Sequence, residues 1–359
     1  MVIHASLWRD TPVFVTGHTG FKGSWLSLCL SKLGAKVHGY AIEPPTKPNL
    51  FEVANVVNAL TSHVSANLLD FNVLHQALNT TQPRVVFHLA AQPLVRVGYA
   101  EPLETLSTNI MGTAHVLEAI RSVPSVEAVV IVTTDKVYEN KEWVYPYREI
   151  DPLGGHDPYS ASKAATELIV ASYRSSFFNA TIGDSPKVAT ARAGNVIGGG
   201  DWAKDRLIPD CLRSFEKGEV VKIRYPDSIR PWQHVLESLS GYLLLAEKLL
   251  GPDANRYTCA WNFGPPSDEQ AAVKDVAEKI ADCWGCSEQV EILASNSNPH
   301  ESGLLQLDST RARVNLDWRM RWPLECAIEA TVAWHQAWLR GEDMYTFTLK
   351  QIETYQTQD

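Results

Sequence analysis

The chain has 359 residues, 45% of them apolar and 20% charged, and a net charge of −9. That length can bury a large core, in one big domain or two unequal ones. The acidic balance speaks against a nucleic-acid binder, so an anionic ligand would need a local basic pocket. No apolar run approaches the ~20 residues that span a bilayer. Met1 to Pro12 carries His4, Arg9 and Asp10 where a signal peptide has an apolar block, so a cytosolic location is expected.

In chain order, Pro12 to Thr16 reads as a short apolar strand, Phe21 to Leu33 as a helix and Ala35 to Ala41 as a second strand. Arg84 to Leu89 is almost wholly apolar, as a strand covered on both faces should be. Leu106 to Arg121 is helical, Ala128 to Thr133 a strand, Tyr159 to Phe178 a long helix and Val188 to Arg192 another strand. This alternation predicts an α/β fold, a Rossmann-type doubly wound parallel sheet. After Gly194 the rhythm breaks, and Gly198-Gly-Gly200 with Asp201-Trp202 signals a loop. Helices Val235 to Leu250, Val273 to Cys283 and Leu324 to Leu339 then alternate with short strands, and Cys259 to Gly264 reads as a strand that rejoins the core. The expected organisation is a dinucleotide domain over 1–194, its core also receiving about 230–264. A smaller, discontinuous mixed α/β lobe takes most of 195–359.

Cys283-Trp-Gly-Cys286 has the spacing of a redox or zinc pair. There is no second pair and no histidine cluster beside it, so structural thiols and no metal site are expected. The sequon-like Asn79-Thr-Thr81 carries no weight in a cytosolic protein.

Gly17-His-Thr-Gly20-Phe-Lys-Gly23 follows the first strand and opens the first helix. Glycines there permit a tight turn and close approach to a pyrophosphate, which the helix N-terminus stabilises. Gly17, Thr19, Gly20, Phe21, Lys22 and Gly23 are therefore cofactor candidates. Val37-His-Gly-Tyr-Ala41 ends without the carboxylate that usually holds the ribose, Glu43 coming two residues late. No arginine offers to bind a 2′-phosphate, which favours NAD over NADP. Asn67 and Leu68 could meet the adenine, and Leu89, Ala90, Ala91 and Gln92 could run beneath the cofactor.

Tyr159-Ser-Ala-Ser-Lys163 puts a phenol and an ammonium on one helix face. A phenol near pKa 10 is no base unaided, and an adjacent ammonium draws it down. Such a pair suits alcohol oxidation by a nicotinamide, with Thr134 in the same hydrogen-bond network. Asp135 and Lys136 add an acid and an amine that simple oxidation does not need. Expulsion of a hydroxyl after oxidation would use both.

The chain resembles the extended short-chain dehydrogenase/reductase family, and within it the nucleotide-sugar 4,6-dehydratases. The resemblance rests on Thr16 to Gly23, His88-Leu-Ala-Ala-Gln92, Ser107-Thr-Asn109, Thr133-Thr-Asp-Lys-Val-Tyr138, Tyr159 with Lys163, and Arg192-Ala-Gly-Asn-Val-Ile-Gly198. Ser24-Trp25, Asn140-Lys-Glu-Trp143, Gly198 to Trp202 and Arg230-Pro-Trp-Gln-His234 are most similar to the branch acting on CDP-glucose. What the resemblance implies is oxidation at C4, loss of the C5 proton and the C6 hydroxyl, and return of hydride to C6, in deoxysugar and O-antigen biosynthesis. Asp135 would be the acid, needing a water-poor pocket to keep its proton. Lys136 stands where related dTDP-sugar dehydratases carry Glu, and would either take the C5 proton or orient Asp135. The resemblance also makes Asn109 a cofactor contact and gives Asn195, Arg230 and Asn262 the substrate diphosphate. Asn140, Lys141 and Arg206 are lesser substrate candidates, and Trp202 and Trp232 candidates for the nucleotide wall. Family members commonly pair through two helices per subunit into a four-helix bundle, here Leu106 to Arg121 and Tyr159 to Phe178, giving a homodimer or homotetramer. Alternatives are a dehydratase of another nucleotide hexose, a nucleotide-sugar 4-epimerase, or a catalytically dead dinucleotide sensor.

Overall fold

The computed structural model describes residues 3–179, 185–223, 225–292 and 303–358. Seven strands form one sheet: β1 Pro12–Thr16, β2 Lys36–Ala41, β3 Ser62–Ser65, β4 Val85–His88, β5 Ala128–Val132, β6 Lys187–Ala193 and β7 Ala260–Phe263. Their order across the sheet is β7-β6-β5-β4-β1-β2-β3, and every pairing is parallel. This is the doubly wound sheet expected from the alternating pattern.

The apolar strands are explained by two cores that divide their residues with period two. Val13, Val15, Val85, Phe87, Ala128, Val130 and Val132 face one core. Phe14, Val86, Val129 and Ile131 face the other. A strand buried on both faces cannot alternate apolar with polar, so it reads as a continuous run. The second core is closed by α2 Phe71–Thr81, α3 Gly112–Ile120 and α4 Pro158–Ser176. The first is closed by α1 Phe21–Lys32 and α6 Val235–Leu249, the latter buried on every residue but Lys248.

The first core also takes in Trp318, Trp322, Trp334, Met344, Ile352 and Tyr355, from the stretch read above mostly as the smaller lobe. A separate, smaller core joins α5 Leu207–Glu216, α7 Val273–Trp284 and the first half of α8 Leu324–Leu339 around Phe215, Trp232 and Ile280. The sequence reading does not single out α2, α5 or α9 Met344–Thr357. The helix expected from Leu106 is interrupted: Ser107–Met111 forms a π turn before α3. Asn109 sits in that turn, 1% exposed, and the extra residue per turn aims its amide at neighbours on two sides. Among the described residues no helix is long and apolar enough to cross a membrane.

Candidate active site

Because the strands are parallel, the turns after β1, β4 and β5 open on the same edge of the sheet. After β1, Gly17 adopts φ +77°, and a Cβ there would lie 2.7 Å from the Ala90 nitrogen. A Cβ on Gly23 would lie 2.0 Å from the Gly17 carbonyl oxygen. α1 begins at Gly20 with no side-chain cap and no acidic residue in its first turn. Its first N–H groups are thus left for an anion, which fits a dinucleotide pyrophosphate. Thr19 Oγ1 donates to the Ile42 carbonyl at 2.9 Å, and Glu43 accepts from Ser65 Oγ at 2.6 Å. Thr16 Oγ1 takes the backbone N–H groups of Leu89 and Ala90, both at 3.2 Å, fixing the turn after β4 beside the glycines.

Not every expected cofactor residue offers its side chain. Asn109 Nδ2 donates to the Gln92 carbonyl (3.1 Å) and Ser162 Oγ (2.8 Å), while its Oδ1 accepts from Gln92 N–H (2.8 Å). Its amide therefore ties the turn after β4 to α4. Leu68 packs in the second core, and Asn67 Oδ1 caps its own turn by accepting from Leu69 N–H.

After β5, Thr134 begins the short turn Asp135–Val137. Thr134 Oγ1 donates to Asp135 Oδ1 at 2.9 Å and lies close enough to the Tyr159 phenol to draw it down. Asp135 is 2% exposed, and its Oδ2 is buried without a partner. A buried carboxylate oxygen left unsatisfied is costly unless something else arrives to meet it. Lys136, half-buried, projects from the same turn.

Tyr159 opens α4 behind the cap that Asp157 makes with Ser160 N–H (3.0 Å). Burial pushes its phenol up to about 12, with Asp135 adding to the rise; Thr134 and Arg206 pull against it. Lys163 Nζ spends one of its three hydrogens on the Val132 carbonyl at 3.1 Å, behind Tyr159 on the same helix face. Burial takes the Lys163 ammonium down to about 8, opposed by Glu167. The structure adds a second perturbed amine that the motif alone did not mark. Lys22, in the first turn of α1, is drawn down to about 7 by burial, with the Arg206 charge adding and Asp135 opposing. Arg206 pairs with Asp201 at 2.8 Å, and its charge acts on both Tyr159 and Lys22. The signal for Lys22 was in plain view: a lysine inside a glycine turn otherwise built of small and apolar residues.

The expected diphosphate contacts divide. Arg230 is 6% exposed and donates to the Ile229 carbonyl at 3.0 Å. Asn195 lies half-buried just after β6, its carbonyl accepting from Gln233 N–H. Asn262 is not brought to the site. It is fully buried in β7, where its amide donates to the Tyr147 and Asp308 carbonyls and accepts from Tyr138 Oη. Asn140 is occupied by the Leu304 carbonyl and Tyr147 Oη, and Lys141 pairs with Glu139. Trp202 packs edge-on or tilted among Trp334, His335 and Trp338, and Trp232 is held in the smaller core with Nε1 donating to the Ala271 carbonyl. Both tryptophans are packing residues.

A family model described as GDP-mannose 4,6 dehydratase matches residues 14–331. A CDP-glucose 4,6-dehydratase of Salmonella typhimurium is 48% identical over 99% of this chain and 98% of its own length. Among solved structures, a dTDP-glucose 4,6-dehydratase of Streptomyces venezuelae with NAD bound superposes with a TM-score of 0.78. It is 22% identical, over 92% of this chain and 98% of that one. A UDP-glucose 4-epimerase of Thermotoga maritima with UDP-glucose gives 0.79, also at 22% identity, over 91% and 99%. At that identity the two structures speak for the fold alone. The family model and the Salmonella relative go further, and by them the chain belongs to the GDP-mannose 4,6-dehydratase family of nucleotide-sugar dehydratases.

Proposed function

We propose that this protein is an NAD-dependent CDP-glucose 4,6-dehydratase, converting CDP-D-glucose to CDP-4-keto-6-deoxy-D-glucose. The observation that carries the dehydration is the placement of Asp135 beside Tyr159: Thr134 donates to one oxygen of its carboxyl, and the second oxygen is buried and unpartnered. An epimerase needs only the phenol. The nucleotide follows from the relative 48% identical along almost the whole chain.

NAD, when bound by Gly17 to Gly23 and the turn Leu89 to Gln92, supplies a hydride acceptor that is regenerated within each cycle. Tyr159 takes the C4 hydroxyl proton, with Thr134, Lys163 and Arg206 favouring the phenolate. The 4-ketone acidifies C5–H, and Lys136 removes that proton. Asp135 Oδ2 gives a proton to the departing C6 hydroxyl. Arg230, Asn195 and Arg206 supply the positive and donor groups for the diphosphate. The smaller core carries the nucleotide-sugar side of the cleft. The action is cytoplasmic and feeds deoxysugar assembly for lipopolysaccharide O-antigen.

Subunits pair through Leu106 to Arg121 and Tyr159 to Phe178 into a four-helix bundle as a homodimer or homotetramer. Met111 and Leu168 support this, being 49 and 61% exposed on those stretches. Leu168→Glu should yield monomers in sedimentation; an unchanged assembly would place the interface elsewhere.

The deciding experiment offers CDP-, dTDP-, UDP- and GDP-linked hexoses to the purified protein. Alkali-absorbing keto sugar from CDP-glucose alone, with no net NADH, is expected. Keto sugar from another nucleotide would correct the substrate, and an epimerised hexose with its C6 hydroxyl intact would overturn the dehydration.

A further inference from the structure

Beneath the reaction centre lies a second ionic cluster that the steps above do not use. Glu167 follows Lys163 by one helical turn and Tyr159 by two, so all three share a face of α4. Its carboxylate is 4% exposed and accepts four hydrogen bonds. They come from Thr133 Oγ1 (2.6 Å), Thr190 Oγ1 (2.7 Å), and Arg192 Nε and Nη2 (both 2.9 Å). Thr133 directly precedes Thr134 and Asp135, while Thr190 and Arg192 belong to β6. Arg192 continues the chain through Nη1 to Tyr138 Oη at 2.8 Å, and Tyr138 donates to Asn262 Oδ1 at 2.7 Å. One carboxylate thus clamps the helix bearing Tyr159 and Lys163 to the strand end bearing Thr134 and Asp135.

We propose that Glu167 is a positioning residue for the oxidation step, setting Tyr159 against Thr134 and Asp135 and standing as the buried anion one helical turn behind Lys163. The proposal rests on the dehydratase reading above. The groups around Lys163 leave Glu167 that task. Lys22 from α1 repels it, and His88 of β4 is held neutral, its imidazole lowered to about 3 mainly by burial. Tyr159 on the same helix is a neutral phenol, and Arg192 on β6 stands behind Glu167 as its counter-ion. Glu167 opposes the burial that would otherwise strip the Lys163 proton.

The test is the pH dependence of C4 oxidation, read as reduced-nicotinamide absorbance in single turnover of the NAD-loaded enzyme. Glu167→Gln should move the alkaline limb to lower pH by about one unit or more, the size of losing a nearby opposite charge. KM for the nucleotide sugar should hold. Thr190→Val, which removes one donor and keeps the charge, should lower Tm with the limb unmoved. Should Glu167→Gln alone not fold, Glu167→Gln with Arg192→Met removes both buried charges together and should shift the limb in the same sense. A folded variant of either kind with the wild-type limb reduces Glu167 to a structural tie and overturns the proposal. Wild-type protein that oxidises no nucleotide hexose would instead sink the functional reading, a result visible before any substitution is made.

Discussion

Asp135 and Glu167 are both sealed from water, at 2 and 4% exposure, yet they are built in opposite ways. Glu167 has every lone pair it needs met by threonine and arginine donors from two strands. Asp135 has one oxygen tied to Thr134 and the other left bare. A saturated carboxylate fixes geometry, and an unsaturated one in the same low-dielectric surroundings is available to chemistry. The contrast separates the floor of the site from its working surface.

The largest effect should come from the working surface. Tyr159→Phe should cut oxidation by about 10³-fold or more, so that substrate no longer raises NADH-like absorbance. Asp135→Asn should still oxidise C4 and then stall, trapping absorbance while keto-deoxy product falls by about 10²-fold. Full turnover in that variant would remove Asp135 from the mechanism and erase the contrast.

On the floor, effects should appear in folding. Arg192→Met leaves Glu167 as a lone buried anion and should cost about 3–5 kcal/mol in urea unfolding. Adding Glu167→Gln should recover most of that loss, because the pair is then removed together. Equal losses in the single and double variants would mean that shape, not charge, holds the floor.

A smaller effect lies at a third carboxylate. Glu237, near the start of α6, accepts from Trp322 N–H (2.8 Å) and Tyr355 Oη (2.8 Å), and burial raises it to about 7. With its folded value above the unfolded one, the stability it contributes is full below about 4.5 and is lost as pH rises through 7. Glu237→Gln should therefore gain on wild type by up to about 3 kcal/mol at pH 8 and above, and by little at pH 5. A gap independent of pH in thermal melts would show that Glu237 stays ionised.

Much of this was legible in the sequence because it obeys local rules. The central strands announce themselves as apolar runs, the glycine turn follows a strand and opens a helix, and Tyr159 and Lys163 sit one turn apart. What was hidden depends on pairings far apart along the chain. Asn262 looks like a free amide within a strand, and only the fold shows it spent on Tyr138, Tyr147 and Asp308. Trp202 looks like a ligand wall until Trp334 and Trp338 arrive from α8 to pack on it. Glu167 continues the spacing of Tyr159 and Lys163, yet its partner Arg192 lies on β6. The π turn at Asn109 has no propensity signature, since it answers to the contacts its amide makes.

The order in which the parts of the large sheet leave the ribosome matters too. When residue 194 emerges, six of the seven strands have been made, but β6 still lacks its neighbour β7, and the face under α1 awaits α6 and the tryptophans after 310. An N-terminal fragment cut there would carry a bare strand edge and an uncovered apolar face, the ingredients of aggregation. Final consolidation waits for the last helix, so shortened chains should be captured by chaperones or degraded, and the half bearing the glycine turn should resist being expressed by itself.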